Sequence, residues 1–286
     1  MSFKVMEDLK YYKLISKSND SLIADKLKIS RMTLSRWLKS NDISFDNLEL
    51  IYSMIFAEQI YINKLKEELY KSYENDNSLV LFHGAKSEII GNPSINYSGL
   101  NKDFGRGFYL GTSIDQASSF VSTYKESSVY VYKLNNINKL KIKEYNVCED
   151  WMLLIAYFRG NLEKYKDSKK IKNLLKELED VQVIIAPIAN NTMYSIMNDF
   201  INGEITNLQC IYALSANRLG KQYVILNDKI INNDLEFLER CYVCKLERED
   251  YAKKREVDSK LGKEKVIIAK RKYAETGKYI EDLLND

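Results

Sequence analysis

The hydrophobic pattern of this chain changes period once, and that change limits what it can fold into. Up to about residue 75 apolar residues recur at helical spacing. Beyond it, short alternating or wholly apolar runs sit between polar turns. The switch falls at Asn75-Asp-Asn-Ser78, a cluster of turn-forming residues. Such a pattern predicts an all-α segment over residues 1–75, a mixed segment over 76–244 and a charged helical segment over 245–286. A length of 286 residues suits two domains at roughly 100–200 residues each. With 45% hydrophobic and 29% charged residues, the chain falls in the globular class rather than the disordered one. Its longest strongly apolar stretch, residues 181–189, has the length of a core strand and falls short of the roughly 20 residues that span a bilayer. The first residues lack the apolar run of a secretory signal. The expectation is a cytoplasmic protein with no membrane partner.

Within the first segment, residues 20–38 place apolar side chains at Ile23, Ala24, Leu27, Ile29, Leu34, Trp37 and Leu38. Two short amphipathic helices accommodate this spacing better than one, with a break at Lys28-Ile29-Ser30 and Ser30 as N-cap of the second helix. Ala24 is small where the helices would cross, and the pair reads as a helix-turn-helix. Residues 39–42 form a polar turn. Ser44 opens a further helix, and residues 57–75 extend it. Residues 1–40 hold nine Lys/Arg against four Asp/Glu, whereas the whole chain is nearly balanced at +3. The pattern over residues 5–60 resembles the phage-repressor type of DNA-binding domain, with Lys28 where that family usually has Gly. The resemblance implies that the second helix enters the major groove. Its contacts to bases and backbone would come from Ser30, Arg31, Thr33, Ser35 and Arg36, with Lys39 near a phosphate. The same helices would equally serve as a small bundle for dimerisation or partner contact.

Beyond residue 78, strands are expected at 79–83, 129–134, 140–143, 181–185 and 221–226. Helices are expected at 149–158, 171–178, 192–202 and 209–215. Strands and helices without βαβ regularity point to an α+β fold. Residues 245–286 carry twelve basic and ten acidic residues, the mixture of a solvated helix face. Of the four cysteines, Cys241 and Cys244 form a lone C-x-x-C without a second ligand pair, so no metal site is expected.

Three segments carry residues suited to chemistry. Phe82-His83-Gly84 sets an imidazole beside backbone without a Cβ, where a planar ligand can reach main-chain donors. Asp103-Phe-Gly-Arg-Gly-Phe-Tyr-Leu-Gly-Thr112 contains Gly105, Arg106 and Gly107 before Tyr109, and Phe120 follows on a helix. The two aromatic residues can bracket a ring by offset stacking. The third segment is Lys221-Gln-Tyr-Val-Ile225. Taken singly, His83 is equally a core histidine, Tyr109 a core strand residue, and the Gly-x-Gly is no phosphate loop.

In this order the segments resemble the ADP-ribosyltransferase superfamily, in its diphtheria-toxin and poly(ADP-ribose)-polymerase branch with a His-Tyr-Glu triad. They also resemble an uncharacterised bacterial domain family of that superfamily, with Gln at the third position. The resemblance covers about residues 79–240. It implies an α+β fold of the ADP-ribosyltransferase-like split β-sandwich type, with flanking helices, behind the small all-α helix-turn-helix domain. It implies NAD as substrate and no metal, with His83, Tyr109 and Gln222 catalytic. NAD would be bound by His83, Gly84, Arg106, Gly107, Tyr109 and Phe120. Gln222 stands where the triad has Glu, and Ala117 where the eukaryotic polymerases have a serine that holds the carboxamide. Glutamine accepts a hydroxyl hydrogen but is no general base, so single transfer is expected rather than chain elongation. Asp103 and Glu204 are the carboxylates that could replace it. The expected protein is a bacterial mono-ADP-ribosyltransferase, a toxin or defence effector or a regulator, modifying a macromolecule and partnered by DNA, an antitoxin or a second copy. The alternative is a catalytically weak NAD or ADP-ribose sensor that controls a DNA-binding module.

Overall fold

The N-terminal region folds as five helices in a computed structural model that describes residues 3–39, 43–189, 191–215, 220–274 and 276–285. They are α1 (Val5–Ser16), α2 (Asp20–Lys26), α3 (Arg31–Lys39), α4 (Phe45–Ala57) and α5 (Ile62–Lys71). The break between α2 and α3 falls at the residues expected. Lys28 takes a left-handed φ of 56°, and Ile29 N–H donates back to Ala24 O at 3.0 Å, closing the helix end. Ser30 then caps α3, accepting from Thr33 N–H at 3.0 Å. Ser44 caps α4 in the same way. Of the polar turn expected at 39–42, only Lys39 lies within the described residues. The extension expected over 57–75 is interrupted. Gln59 turns left-handed at φ 60°, and α5 starts afresh at Ile62.

The rest of the chain forms β1 (Leu79–Ala85), β2 (Phe108–Gly111), α6 (Ile114–Val121), β3 (Ser128–Leu134), β4 (Ile142–Glu144), α7 (Glu149–Phe158), α8 (Lys169–Lys176) and β5 (Val183–Pro187). It continues through α9 (Asn191–Ile201), α10 (Asn207–Ser215), β6 (Lys221–Ile225), α11 (Asp228–Asp234), β7 (Leu235–Tyr242), α12 (Lys245–Lys272) and α13 (Ile280–Leu284). The fold is mixed α+β; β1 with β2, β1 with β3, β3 with β7 and β5 with β6 pair antiparallel, and β4 with β5 pairs parallel. Among the described residues no helix is long and apolar enough to cross a membrane.

The chain divides into two units. One comprises residues 1–92, 111–137 and 234–255; the other comprises 93–110, 138–233 and 256–286. Positions 75 and 244, where the sequence changes character, both lie inside the first unit. There β1 pairs with β3 from Leu79 opposite Leu134 to Ala85 opposite Ser128, and β3 pairs with β7 across a bulge at Val131 and Tyr132. Strand β7, which no sequence pattern predicts, completes this sheet. Cys241 and Cys244 are buried at its end as free thiols, and burial pushes the Cys241 thiol upward. The N-terminal helices share a core with Tyr242 and Cys244, and Phe3 and Tyr242 meet edge to face at 5.6 Å.

Helix α5 turns a polar face inward. Asn63, Lys66, Glu67 and Tyr70, at i, i+3, i+4 and i+7, are buried, while Leu65 and Leu69 are exposed. Such a face is tolerated where its charges and donors find partners. Lys66 Nζ lies 2.6 Å from Asp8 on α1 and 2.6 Å from Glu239 on β7. Tyr70 OH donates to Glu239, and Asn63 donates to Tyr242 O at 2.8 Å and to Glu247 on α12 at 2.9 Å. Burial is the largest single influence and opposes the charge on Lys66, but Asp8 together with the surrounding acidic groups, Glu239 among them, outweighs it and holds the ammonium well above its usual range.

In the second unit β5 runs parallel to β4 and antiparallel to β6. Its core forms around α7, where Trp151 through Ala156 are all buried, with α9 and α10 packed on it. Such all-round burial marks an interior helix.

Lys66→Met is expected to destabilise the protein by about 3–5 kcal/mol, because it leaves two buried carboxylates without their cation. Adding Asp8→Asn and Glu239→Gln should recover most of that loss. Urea unfolding of the single and triple variants measures both effects.

Candidate functional site

In the first unit, His83 and Gly84 lie within β1, opposite Tyr130 and Val129 of β3. Both are half-buried. Helix α6 covers this stretch, capped by Ser113, which accepts from Gln116 N–H at 3.2 Å. A Cβ at Gly84 would stand 2.3 Å from the carbonyl oxygen of Ala117 and 3.2 Å from Val121 Cγ1. Glycine is therefore required for α6 to approach the strand, which is a packing reason beside the ligand-contact reason the sequence offers. Ala117 is buried on that helix, and Phe120, one turn further along, is 57% exposed, so its ring is open to a ligand.

The second unit gathers the other two motifs. The 103–109 loop closes on its own tyrosine. Tyr109 OH donates to Gly105 O at 2.8 Å and accepts from Phe104 N–H at 3.1 Å. Gly105 supplies the left-handed turn at φ 69° that this closure needs. Burial pushes the Tyr109 phenol upward, so it stays protonated and keeps the ring in place. A Cβ at Gly107 would lie 2.6 Å from Val224 Cγ1, which ties the loop closely to β6. Arg106 is exposed, with Nη1 3.0 Å from Asn96 Oδ1.

Gln222, the second residue of β6, is buried, and its amide nitrogen lies 2.9 Å from Asp103 Oδ2 and 3.1 Å from Pro187 O. Both neighbours are acceptors, which fixes the amide with its NH2 toward them. Asp103 is itself buried. Its Oδ1 accepts from Arg159 Nε at 3.0 Å and also from Nη2; its Oδ2 accepts from Ala189 N–H at 3.3 Å. Arg159 Nη2 also reaches Ala189 O at 2.9 Å, and its guanidinium lies 4.2 Å from the Tyr194 ring centre. Sequence reasoning offers Asp103 as a candidate but misses Arg159, which sits just past the end of α7 as an isolated cation with no motif around it. Glu204 is exposed beyond α9.

The hydroxyl of Ser30, which caps α3, lies 2.9 Å from that of Thr33 in its first turn, and Arg31 bonds Ser21 on α2. Ser35, Arg36 and Lys39 border a shallow surface hollow with Met32, which is 82% exposed. Among the described residues no cluster of three or more metal-ligating side chains occurs.

A family model described as a protein of unknown function (DUF3990) matches residues 79–237. The chain belongs to this family. No curated protein and no solved structure matches it. The matched span runs from the first residue of β1 into β7 and so contains all three motif segments.

Gly84→Ala should cost about 1–3 kcal/mol, since either α6 or the strand must shift to admit the methyl group. A lowered urea midpoint checks this. An unchanged midpoint would show that the helix yields without cost.

Proposed function

We propose that this chain is an NAD-dependent mono-ADP-ribosyltransferase of split β-sandwich type that acts on a macromolecule, with a DNA-binding helix-turn-helix in its N-terminal region. The observation that carries the reading lies in the second unit. The third motif meets the second across 119 residues of sequence, through Gln222 and Asp103, beside a loop that fixes the ring of Tyr109. An amide aimed by a buried carboxylate, next to a tethered aromatic ring, suits a ribosyl-nicotinamide better than a simple core contact.

In this reading His83 bonds a ribose hydroxyl and the Gly84 backbone holds the carboxamide. Tyr109 and Phe120 stack on the nicotinamide ring, Gly107 lets the loop approach, and Arg106 offers charge to the diphosphate. The bond from C1′ to the nicotinamide nitrogen breaks with its electron pair leaving on the ring, which becomes neutral nicotinamide. The acceptor forms the new bond to C1′ and releases its proton to solvent. Positioning and electrostatics supply the rate, because Gln222 is no base. The acceptor must therefore already be a good nucleophile, and transfer stops after one unit. The same lack of a base favours a second reading, an NAD or ADP-ribose sensor acting on the helix-turn-helix.

Adenine-labelled NAD, incubated with the purified protein and separated cellular protein, RNA and DNA, decides between the two. Transfer that falls roughly 100-fold or more in His83→Ala is the expected result. Saturable binding without transfer would leave the sensor. For the DNA interface, Arg31→Ala and Arg36→Ala should each weaken gel-shift binding and lower the salt slope by about 1 for each phosphate no longer neutralised. Binding indifferent to salt would overturn the interface.

A further inference from the structure

Position 222 has the wrong residue for a glutamate-dependent transferase, and Asp103 explains why glutamine stands there. A glutamate at 222 would aim its carboxylate at Asp103 Oδ2, 2.9 Å from the present amide nitrogen, and at the carbonyl of Pro187, 3.1 Å away. Two carboxylates that close repel, and neither acceptor has a hydrogen to give. Glutamine alone, among residues of that length, satisfies both. The Asp103 charge is in turn held by Arg159 and by the Ala189 N–H. We infer that Asp103 is a positioning residue: it fixes the Gln222 amide with its carbonyl oxygen turned away from the carboxylate, as the acceptor for a ligand hydroxyl.

The chemistry follows from the amide. Its nitrogen has an acceptor for each hydrogen, so Oε1 is its remaining functional atom. Donation of an N–H to an ionised carboxylate draws electron density toward the amide oxygen and strengthens it as an acceptor. The pair thus passes part of the Asp103 charge to a neutral group. That arrangement takes a ligand presenting a hydroxyl, and on the reading of this site as an ADP-ribosyltransferase, on which this inference rests, the hydroxyl belongs to the ribose next to nicotinamide. Glutamine is then a working part of the site rather than a degenerate glutamate.

The test is a charge-swap cycle on the full chain with two readouts, urea stability and NAD affinity by titration calorimetry. Gln222→Glu should weaken NAD binding about tenfold or more and lower stability. Asp103→Asn should weaken binding less, because the shorter amide can still present a carbonyl to Gln222. The pair Asp103→Asn with Gln222→Glu should recover part of the affinity lost in Gln222→Glu alone, the amide introduced at 103 now donating to the new carboxylate while the Pro187 carbonyl still faces it. A purely structural role would restore stability in the double variant while every folded single variant bound NAD as wild type does, and that outcome overturns the inference. So would a Gln222→Glu variant that binds as tightly as wild type, or gains transfer activity. If wild type binds no NAD, the transferase reading itself falls and the ligand assignment with it. In that case the stability cycle alone reports the coupling between Asp103 and Gln222, so the two failures are told apart.

Discussion

The first unit depends on one buried lysine. Lys66 sits between Asp8 and Glu239, at 2.6 Å from each, and through them ties α5 to α1 and to β7. A second ammonium, Lys4, stands 3.8 Å from Glu239 at the edge of the network, and hydroxyl donors complete it. Tyr52 donates to Asp8, and Tyr70 donates to Glu239. Each is a charge-assisted bond that stands in for water. A buried network of this kind contributes little net stability compared with apolar packing, but it penalises every arrangement that leaves a member unpaired. The physical consequence is specificity: α5 has one seating on the sheet, although Leu65 and Leu69 would suit the opposite face to an apolar core.

That anchoring bears on the helix-turn-helix. Helix α3, which carries Arg31 and Arg36, shares its core with Tyr242 and Cys244 at the end of β7, the outer strand of the sheet on which His83 lies. An N-terminal module packed this way is no separately tethered bead. In the proposed function, a ligand that orders β1 and a nucleic acid that engages α3 act on one packed body, which is a physical route for coupling between them.

The second unit solves a different problem with the same device. Asp103 is buried and must be compensated, and Arg159, Gln222 and the Ala189 N–H do so together. Here the pairing sets the direction of a neutral amide. Tyr109 follows the same logic at short range, its hydroxyl tied into the loop that precedes it so that the ring has a single orientation. Both arrangements fix side-chain atoms in advance, which in the proposed function spares the ligand the cost of ordering them.

What the sequence determined alone is the local part. Periodicity and caps located α2, α3 and α4, down to the Ser30 and Ser44 caps and the turn at Lys28, because those signals act within a few residues. Short apolar runs located β1 and β6, and alternation located β3, for a similar reason. The break at Gln59 escaped, since no glycine or proline marks it; the left-handed glutamine is held by the bonds that close α4, Gln59 N–H to Phe56 O at 2.9 Å and Ile60 N–H to Ile55 O at 3.3 Å. Strand β7 escaped because its buried positions include Glu239 and Arg240, which read as exposed in any hydrophobic pattern. Tertiary structure alone decided the rest: which charges meet, that Gly84 makes way for the Ala117 carbonyl, and that Gln222 answers to Asp103 rather than standing in for a lost glutamate. These are pairings between residues far apart in the chain. Burial makes them obligatory, and no local pattern encodes which charge will find which partner.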